Sequence, residues 1–348
     1  MTGATLITGG AGFLGTNMAD RLLREGRPVT VLDDLSRAGV ERNLRWLQRE
    51  HGNRLRVEVG DVRDAAAVRR AVAGAEQVFH FAAQVAVTTS VDDPMRDFDV
   101  NLRGTLTLLE EVRRQAEPAA LLFTSTNKVY GDLADLAIRK RNNRYEPVDE
   151  AVNAAGIGED RGLHFCSPYG CSKGGADQYV SDYAATYGLD TVVFRMSCIY
   201  GPHQCGTEDQ GWVAHFLLRA LSGHPITLYG DGCQVRDILY VDDLLDAMLV
   251  AMGRIGSLRG RAFNIGGGPS NTVSLLQLID MIELLEERRP VVGFDGWRVG
   301  DQQYYVSDTR AFSAATGWSP KVRPLEGVGL LLDWLRREGI RPRISEAV

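Results

Sequence analysis

The first half of the chain alternates short apolar, β-branched runs with longer amphipathic runs. The short runs predict strands over residues 4–8, 29–32, 55–59, 78–81, 120–125 and 191–196. The longer runs predict helices, among them 13–25 and 96–115; in the second, Phe98, Leu102 and Leu106 recur at helical spacing. Alternation of strand and helix at this pitch predicts an α/β fold with a doubly wound parallel sheet that helices cover on both faces.

The pattern loosens after about residue 201. Turn clusters occupy 230–232 and 266–269, and helical runs cover 243–252 and 274–287. We therefore expect a smaller C-terminal lobe that is interleaved with the first domain. The expected limits are a dinucleotide-binding domain over 1–200 to which 235–268 contributes, a substrate lobe mainly over 201–339, and a polar tail over 340–348.

Composition excludes several classes of protein. The chain has 39 basic and 45 acidic residues and a net charge of −6, so it lacks the basic field that nucleic acid requires. No run approaches the roughly 18 apolar residues of a membrane span, and the glycine-containing N-terminus lacks the charged start of a signal peptide. The five cysteines show no CxxC pair. We expect reduced thiols, a cytoplasmic location and no metal.

A glycine-rich loop follows the first predicted strand and opens the first helix. It reads Thr8-Gly9-Gly10-Ala11-Gly12-Phe13-Leu14-Gly15 and satisfies both GxxGxxG and GxGxxG. Glycine suits a sharp turn at which the backbone approaches a pyrophosphate, and the helix N-terminus then faces the phosphate charge. Asp33, at the end of the second strand, is placed to bind ribose hydroxyls and repel a 2′-phosphate, which favours NAD. The nearby Arg37 leaves NADP as the alternative cofactor.

Further cofactor contacts are expected at the ends of the later strands. Asp61-Val62 follows the third strand, where a side chain can reach adenine, and the small residues Ala82-Ala83 after the fourth allow close approach. For His80, a buried core role and a functional role are equally open. The expected cofactor-binding residues are Gly9, Gly12, Phe13, Leu14, Gly15, Asp33, Asp34, Ser36, Arg37, Asp61, Val62, Phe81, Ala82, Ala83, Gln84, Asn101, Thr124, Tyr169 and Lys173.

The catalytic candidates are a tyrosine and a lysine four residues apart, Tyr169 and Lys173, which share one face of a helix. An ammonium near a phenol favours the phenolate, so we expect Lys173 to lower the pKa of Tyr169 from about 10. The phenol then serves as a general base toward a sugar hydroxyl. Thr126, at the end of the fifth strand, is placed to share the substrate proton.

Together these motifs resemble the extended short-chain dehydrogenase/reductase family of nucleotide-sugar epimerases and dehydratases, over Gly9 to about Trp334. Further matching strings in family order include 129–131, 200–202, 234–237 and 263–267. The resemblance implies a Rossmann-type domain with an interleaved substrate lobe, NAD as cofactor and a nucleotide-diphosphate sugar as substrate. It also implies a catalytic triad of Thr126, Tyr169 and Lys173, support of the site by Asn101, and a homo-oligomer built on helices 96–115 and 169–187.

The residues after Thr126 discriminate within that family. The 4,6-dehydratases carry an Asp-Glu pair that drives water elimination, whereas this chain has Asn127 and Lys128. Strings at 125–132, 164–174, 209–213 and 300–302 resemble the CDP-paratose 2-epimerases, also called CDP-tyvelose epimerases. This resemblance implies epimerisation at C2 of a CDP-linked hexose. A 4-epimerase of UDP-hexose or UDP-uronate is the alternative; a 4,6-dehydratase and a non-catalytic NAD-binding scaffold are less favoured.

Substrate contacts are expected from both lobes. Guanidinium groups match phosphate oxygens, which makes arginines of the second lobe candidates for the pyrophosphate. Lys128 either reaches the sugar or pairs with an acid beside the site. The arginine-rich stretch 139–144 is either a lid over the substrate or a solvated loop. The expected substrate-binding residues are Thr126, Asn127, Lys128, His164, Arg236 and Arg298, with Gln210 and Trp212 as weaker candidates.

Overall fold

A computed structural model describes residues 3–298 and 300–339. The predicted polar tail, 340–348, lies outside the described residues. Within them, no helix combines the length and apolar character that a membrane crossing needs.

A seven-stranded parallel sheet forms the larger domain. Its strands are β1 (Ala4–Thr8), β2 (Val29–Asp33), β3 (Leu55–Val59), β4 (Ala75–His80), β5 (Ala120–Thr126), β8 (Thr191–Met196) and β12 (Ala262–Ile265). They lie in the order β12-β8-β5-β4-β1-β2-β3, and the central ones are apolar and buried because helices cover both faces. The strand order reverses between β1 and β4, and that switch point opens a crevice at the carboxyl ends of the strands. The predicted doubly wound fold is confirmed.

The helices around this sheet bury apolar stripes against it. They are α1 (Phe13–Arg24), α2 (Val40–His51), α3 (Ala65–Val72), α4 (Val87–Asp92), α5 (Pro94–Phe98), α6 (Gly104–Arg113) and α8 (Ser167–Tyr187). The prediction of one helix over 96–115 is wrong in detail. A π-helical turn over Asp99–Arg103 separates α5 from α6, and such turns are common at functional sites.

The smaller lobe is built mostly from the C-terminal part of the chain. Its strands are β9 (Cys198–Tyr200), β10 (Ile226–Tyr229), β11 (Val235–Tyr240), β13 (Thr272–Ser274), β14 (Val292–Asp295) and β15 (Tyr304–Tyr305). Its helices are α9 (Trp212–Leu221), α12 (Leu275–Glu286) and α14 (Pro324–Arg337). Three further C-terminal helices, α10 (Val241–Gly253), α11 (Ile255–Leu258) and α13 (Arg310–Thr316), contact β5, β8 and β12 of the main sheet. Strand β11 pairs with β9, β13 and β15, whereas β12 returns to the main sheet, so the two parts are interleaved. The domain limits themselves stay a prediction.

The arginine-rich stretch forms a β-hairpin of β6 (Ile138–Arg141) and β7 (Arg144–Pro147), followed by α7 (Glu150–Ala155). Asn142 and Asn143 both have positive φ, which suits a tight two-residue turn. Lys140 Nζ and Tyr145 Oη donate to the Asp231 carboxylate at 3.0 and 2.8 Å. The hairpin is thereby held on the second lobe, and residues 139–144 do not line the main cleft.

Candidate active site

A cleft of about 750 Å³ runs from the glycine-rich loop, past the carboxyl ends of the parallel strands, to the second lobe. Most residues predicted from the sequence lie along it. They are Gly9, Gly12, Phe13, Leu14, Asp33, Asp34, Ser36, Arg37, Asp61, Val62, Phe81, Ala82, Ala83, Gln84, Thr124, Thr126, Asn127, Lys128, Tyr169, Lys173, Gln210, Trp212, Arg236 and Arg298. Gly15, Asn101 and His164 do not line the cleft.

The glycine-rich loop is shaped by close backbone contacts. Gly9 has φ +67°, and a Cβ there would lie 2.6 Å from the backbone nitrogen of Ala82. A Cβ on Gly15 would lie 2.3 Å from the carbonyl oxygen of Gly9, so Gly15 allows α1 to pack against the loop instead of facing the cleft. Gly12 caps α1 without a side-chain acceptor, which leaves the first amides of the helix available to an anion.

Asp33 ends β2 with its carboxylate held by two backbone amides. Its Oδ2 accepts from Ala11 N at 3.0 Å and its Oδ1 from Leu35 N at 2.9 Å. Burial raises the pKa of Asp33, while both hydrogen bonds act to lower it. Arg37 donates to Gln210 across the cleft. A carboxylate oriented toward the cleft, with that arginine engaged elsewhere, suits ribose hydroxyls better than a 2′-phosphate.

Asp61 lines the cleft as predicted, but it is paired with a residue that sequence reasoning missed. Arg63 Nη2 and Nε donate to Asp61 Oδ2 at 2.6 and 2.9 Å. This hydrogen bonding holds the pKa of Asp61 below its usual range. The pairing keeps the carboxylate ionised where the adenine end of a dinucleotide is expected.

His80 is a core residue. Its Nδ1 lies 2.6 Å from Thr8 Oγ1 and its Nε2 lies 2.9 Å from Thr105 Oγ1. Thr105 donates its own proton to Asn101 O, so it accepts from Nε2, which assigns the proton to Nε2. Burial lowers the pKa of His80 to about 3, and the ring therefore stays neutral. Of the two roles left open by the sequence, the structure supports the buried one.

Asn101 acts from behind the cleft. From the π-helical turn, its Oδ1 accepts from Gln84 N at 2.9 Å, and its Nδ2 donates to Asp97 Oδ1 at 3.1 Å and Ser172 Oγ at 3.0 Å. Direct cofactor contact was predicted for Asn101. The structure instead places it between the cleft-lining Gln84 and the helix of the catalytic pair, where it positions both.

The three catalytic candidates meet at one point of the cleft. Thr126 is the last residue of β5, and α8 begins at Ser167, with Tyr169 and Lys173 one turn apart. Thr126 Oγ1 donates to Asn127 Oδ1 at 3.3 Å, and its interaction with the phenol of Tyr169 acts to lower the pKa of that phenol. Lys173 Nζ donates to Thr124 O at 2.5 Å and lies 4.2 Å from the centre of the Phe123 ring. A hydroxyl, a phenol and an amine thus converge where strand and helix meet.

The electrostatics of this group differ from the sequence expectation. Burial raises the pKa of Tyr169 to about 12; the Thr126 hydrogen bond lowers it, and the charge of Asp97 raises it further. Burial also lowers the pKa of Lys173 to about 7, against the opposing charges of Asp177 and Asp97. The expected lowering of the Tyr169 pKa by Lys173 is therefore not what this structure shows. Desolvation is the largest effect on both residues, because burial in the cleft disfavours the phenolate of Tyr169 and the ammonium of Lys173.

Asn127 and Lys128 follow Thr126 and are engaged with the second lobe. Asn127 Nδ2 donates to Gln302 Oε1 at 3.0 Å, and Lys128 Nζ donates to Gly300 O at 3.1 Å. Burial lowers the pKa of Lys128 to about 8, and the neighbouring Arg236 contributes in the same direction. Neither side chain is a carboxylic acid, and the ammonium borders the cleft without a carboxylate hydrogen bond among the described residues.

The two predicted arginines lie on the second-lobe side of the cleft. Arg236 is buried, and its Nη2 donates to Asp301 Oδ1 at 2.7 Å. The guanidinium of Arg298 stacks 3.8 Å from the centre of the Tyr229 ring and donates to Glu208 O at 3.0 Å. Each guanidinium has a carboxylate partner: Asp301 lies 2.7 Å from Arg236 Nη2, and Asp209 Oδ1 lies 3.4 Å from Arg298 Nη1.

Several cleft residues were missed by sequence reasoning. They include Arg63, Ser125, Met196, Ser197, Cys198, Ile199, Tyr229, Gln234 and Asp301. Residues 196–199 follow the carboxyl end of β8, and strand position alone was enough to predict them. Tyr229 and Asp301 carry no such signal, because the packing of distant segments brings them to the cleft. Conversely, the predicted substrate residue His164 is exposed and outside the cleft, with its Nδ1 3.6 Å from Cys166 Sγ.

Comparisons with known proteins agree with this geometry. The model of the NAD dependent epimerase/dehydratase family matches residues 5–266. The chain is 43% identical over 342 residues to a CDP-paratose 2-epimerase of Salmonella typhi, covering 94% of this chain and 98% of that protein. A UDP-glucose 4-epimerase structure from Thermotoga maritima, with UDP-glucose, is 31% identical with a TM-score of 0.81, over 97% of this chain and 100% of that chain.

A UDP-glucose 4-epimerase from Thermus thermophilus, in complex with NAD, is 33% identical with a TM-score of 0.80 and covers 96% of this chain and 99% of that chain. The family predicted from the motifs, its enzymatic character and its NAD cofactor are thereby confirmed. The chain belongs to the NAD dependent epimerase/dehydratase family.

Proposed function

We propose that this protein is an NAD-dependent nucleotide-sugar epimerase that inverts C2 of a CDP-linked hexose. The observation that carries the proposal is the convergence of Thr126, Tyr169 and Lys173 in the cleft, with Asn127 and Lys128 in place of acids directly beside them. The 43% identity with a CDP-paratose 2-epimerase supports the choice of carbon and nucleotide.

The residues along the first domain fit NAD. The cradle of Gly9 and Gly12 accepts a closely approaching pyrophosphate at the N-terminus of α1, and the carboxylate of Asp33 suits the adenosine ribose. Lys173, one turn after Tyr169, is placed for the second ribose. When bound, NAD supplies the oxidant: it accepts a hydride from the sugar carbon and returns it.

The protein's own residues handle the proton. The positive charge of the bound nicotinamide would favour the Tyr169 phenolate against the burial that raises its pKa to about 12. Tyr169 would then take the proton of the sugar hydroxyl as that carbon is oxidised to a ketone. Thr126 donates a hydrogen bond to the oxygen that becomes the carbonyl. Once the keto sugar has turned its other face toward the cofactor and that face is reduced, Tyr169 would give the proton back to the oxygen. Net redox change is zero, and C2 is inverted.

The residues after Thr126 favour epimerisation over dehydration. Elimination of water needs an acid that protonates the departing hydroxyl. The Asn127 amide is held by Gln302, and the Lys128 ammonium by Gly300 O, so neither position offers a carboxylic acid. The same three residues also suit a 4-epimerase of UDP-hexose or UDP-uronate, because the orientation of the bound sugar decides which carbon is oxidised. Epimerisation at C4 is therefore the alternative reaction, and UDP-glucose 4-epimerases have a similar fold.

The nucleotide end of the substrate is assigned to the second lobe. Arg236 and Arg298 approach the same part of the cleft, and guanidinium groups bind phosphate oxygens in pairs of hydrogen bonds. Arg298 already stacks on Tyr229, which fixes the plane of its guanidinium. We assign the pyrophosphate to this pair.

We also propose a homodimer that forms through the helices α5, α6 and α8. Large apolar side chains are exposed there: Met95 is 68%, Phe98 46% and Tyr179 43% accessible. Such a cluster is characteristic of a surface that a partner covers. Light scattering on a size-exclusion column tests the dimer: a monomer at micromolar concentration contradicts it.

The five cysteines of the described chain are free, which supports a cytoplasmic location.

The reaction is tested with CDP-, UDP-, GDP- and dTDP-linked hexoses, and the products are resolved by NMR. A substrate deuterated at C2 identifies the carbon. Inversion at C2 with the label retained in the same molecule supports the proposal, since the hydride leaves and returns within one active site. Inversion only at C4 establishes the alternative, and loss of water with a 4-keto product contradicts epimerisation altogether.

A further inference from the structure

Three potential metal ligands meet outside the cleft. Asp132 follows the turn after β5, and His164 and Cys166 precede α8. A carboxylate oxygen, a ring nitrogen and the sulfur lie within 4.8 Å of one another. Asp132 and His164 are exposed and Cys166 is partly buried, so a metal ion in solution reaches them. His164 is thus a residue that the sequence singles out and the cleft does not use.

The spacing of the two softer ligands matches one kind of coordination. Zinc binds thiolate sulfur at about 2.3 Å and imidazole nitrogen at about 2.0–2.1 Å with tetrahedral angles, which separates the two atoms by about 3.6 Å. The distance between His164 Nδ1 and Cys166 Sγ is 3.6 Å. These two atoms are hydrogen-bonded to each other in this structure, at a distance that equals one edge of a zinc tetrahedron. Thiolate and imidazole ligands also select zinc over calcium or magnesium.

The backbone holds these ligands in place. His164 N donates to Val129 O at 2.9 Å, which ties the segment before α8 to the turn before Asp132. Gly131 has φ +76°, and a Cβ there would lie 2.8 Å from His164 Nδ1 and 3.4 Å from Cys166 Sγ. Glycine at this position keeps the space between the ligands open. Cys166 is the N-cap residue of α8, whose first turn carries Tyr169.

We propose that Asp132, His164 and Cys166 bind one Zn²⁺ ion, with water as the fourth ligand. A thiolate and a carboxylate balance the two positive charges, and the neutral imidazole adds none. The ion joins the segment that follows Thr126 to the first turn of α8, so it fixes the two catalytic segments relative to each other. The sequence expectation of no metal rested on the absence of spacings such as CxxC; here the fold brings Asp132 to His164 and Cys166, which lie close together much later in the chain.

The test uses the full chain after treatment with EDTA and dialysis. Titration with Co²⁺ is expected to give the near-ultraviolet band of a cobalt–thiolate bond and the visible bands of tetrahedral cobalt. Both should saturate at one ion per chain and disappear when Zn²⁺ is added. Free Zn²⁺ at 100 times its Kd should raise Tm by about 4 °C.

Matched variants locate the site. Cys166→Ser should lose the thiolate band, whereas Cys171→Ser, which changes an exposed cysteine on the same helix, should keep it. Asp132→Asn should weaken Co²⁺ binding at least tenfold while keeping a thiolate band at saturation, and circular dichroism confirms that each variant is folded. Absence of the cobalt–thiolate band in the unaltered chain overturns the proposal, and this result does not depend on whether the variants fold. An equal band in Cys166→Ser also overturns it, because the metal then binds elsewhere.

Discussion

Lys128 offers a test of whether a charge is kept in the cleft for function at the expense of stability. Burial lowers its pKa from 10.5 to about 8, which corresponds to about 3 kcal/mol against holding the ammonium in the folded chain at neutral pH. Replacing Lys128 by Met keeps an unbranched side chain, shorter by the terminal nitrogen, and removes the charge. The lost hydrogen bond to Gly300 O offsets about 1 kcal/mol of the gain.

Lys128→Met should therefore be more stable than the unaltered protein at pH 7, by about 2 kcal/mol, or about 3 °C in Tm for a chain of this size. The sign follows from proton binding. Because the folded pKa lies below the unfolded value, the unfolded chain binds more protons between about pH 8 and 10.5, and the stability of the unaltered protein rises with pH across that window. The advantage of the variant should shrink accordingly between pH 8 and pH 10.

The assay is thermal unfolding of both proteins at pH 7, 8 and 10, together with substrate KM and kcat. Lys140→Met is the control, since Lys140 is an exposed residue of the hairpin that pairs with Asp231. We expect that variant to change Tm by less than about 1 °C. Lys128→Met should raise the substrate KM at least tenfold with the affinity for NAD unchanged. If it is instead less stable at every pH and its KM is normal, Lys128 is a structural partner and contacts no substrate.

Three other predictions address the catalytic and cofactor residues. Tyr169→Phe should abolish conversion with NAD affinity nearly intact by calorimetry, and near-normal turnover would remove Tyr169 from the proton transfer. Asp33→Ala should lose the preference for NAD over NADP in steady-state kinetics; an unchanged ratio would exclude Asp33 from ribose binding. Gly9→Ala should weaken NAD binding at least tenfold, because its Cβ would lie 2.6 Å from Ala82 N. Gly26→Ala is its control, with φ +79° but open space around the Cβ, so equal effects of the two would mean that backbone strain and not the contact matters.

The features predicted correctly are those with a local cause. The glycine-rich loop lies between a strand and a helix because sharp turning and close backbone approach both need glycine. Tyr169 and Lys173 share a helix face because their spacing matches one turn. Each follows from a few consecutive residues, which is why the family, the fold and the placement of Tyr169 and Lys173 on one helix could be predicted from the sequence.

The features that the sequence predicted wrongly or left open depend on distant contacts. The helix over 96–115 breaks at a π-helical turn where Asn101 bonds to Gln84, Asp97 and Ser172. The stretch 139–144 folds into a hairpin that Asp231, from the second lobe, holds by two hydrogen bonds. The local sequence pattern does not show these partners, because the hydrogen bonds that stabilise the turn and the hairpin join residues from different parts of the fold.

The sequence alone determined which chemical groups this protein has and on which elements they lie: a glycine-rich loop before the first helix, a carboxylate at the end of the second strand, and a hydroxyl, a phenol and an amine at the end of β5 and the start of α8. Tertiary structure decided how those groups behave. Burial by segments from both lobes raises the pKa of Tyr169 and lowers those of Lys173 and Lys128. The physical reason is desolvation: its cost depends on everything packed around a group, and no motif contains that information.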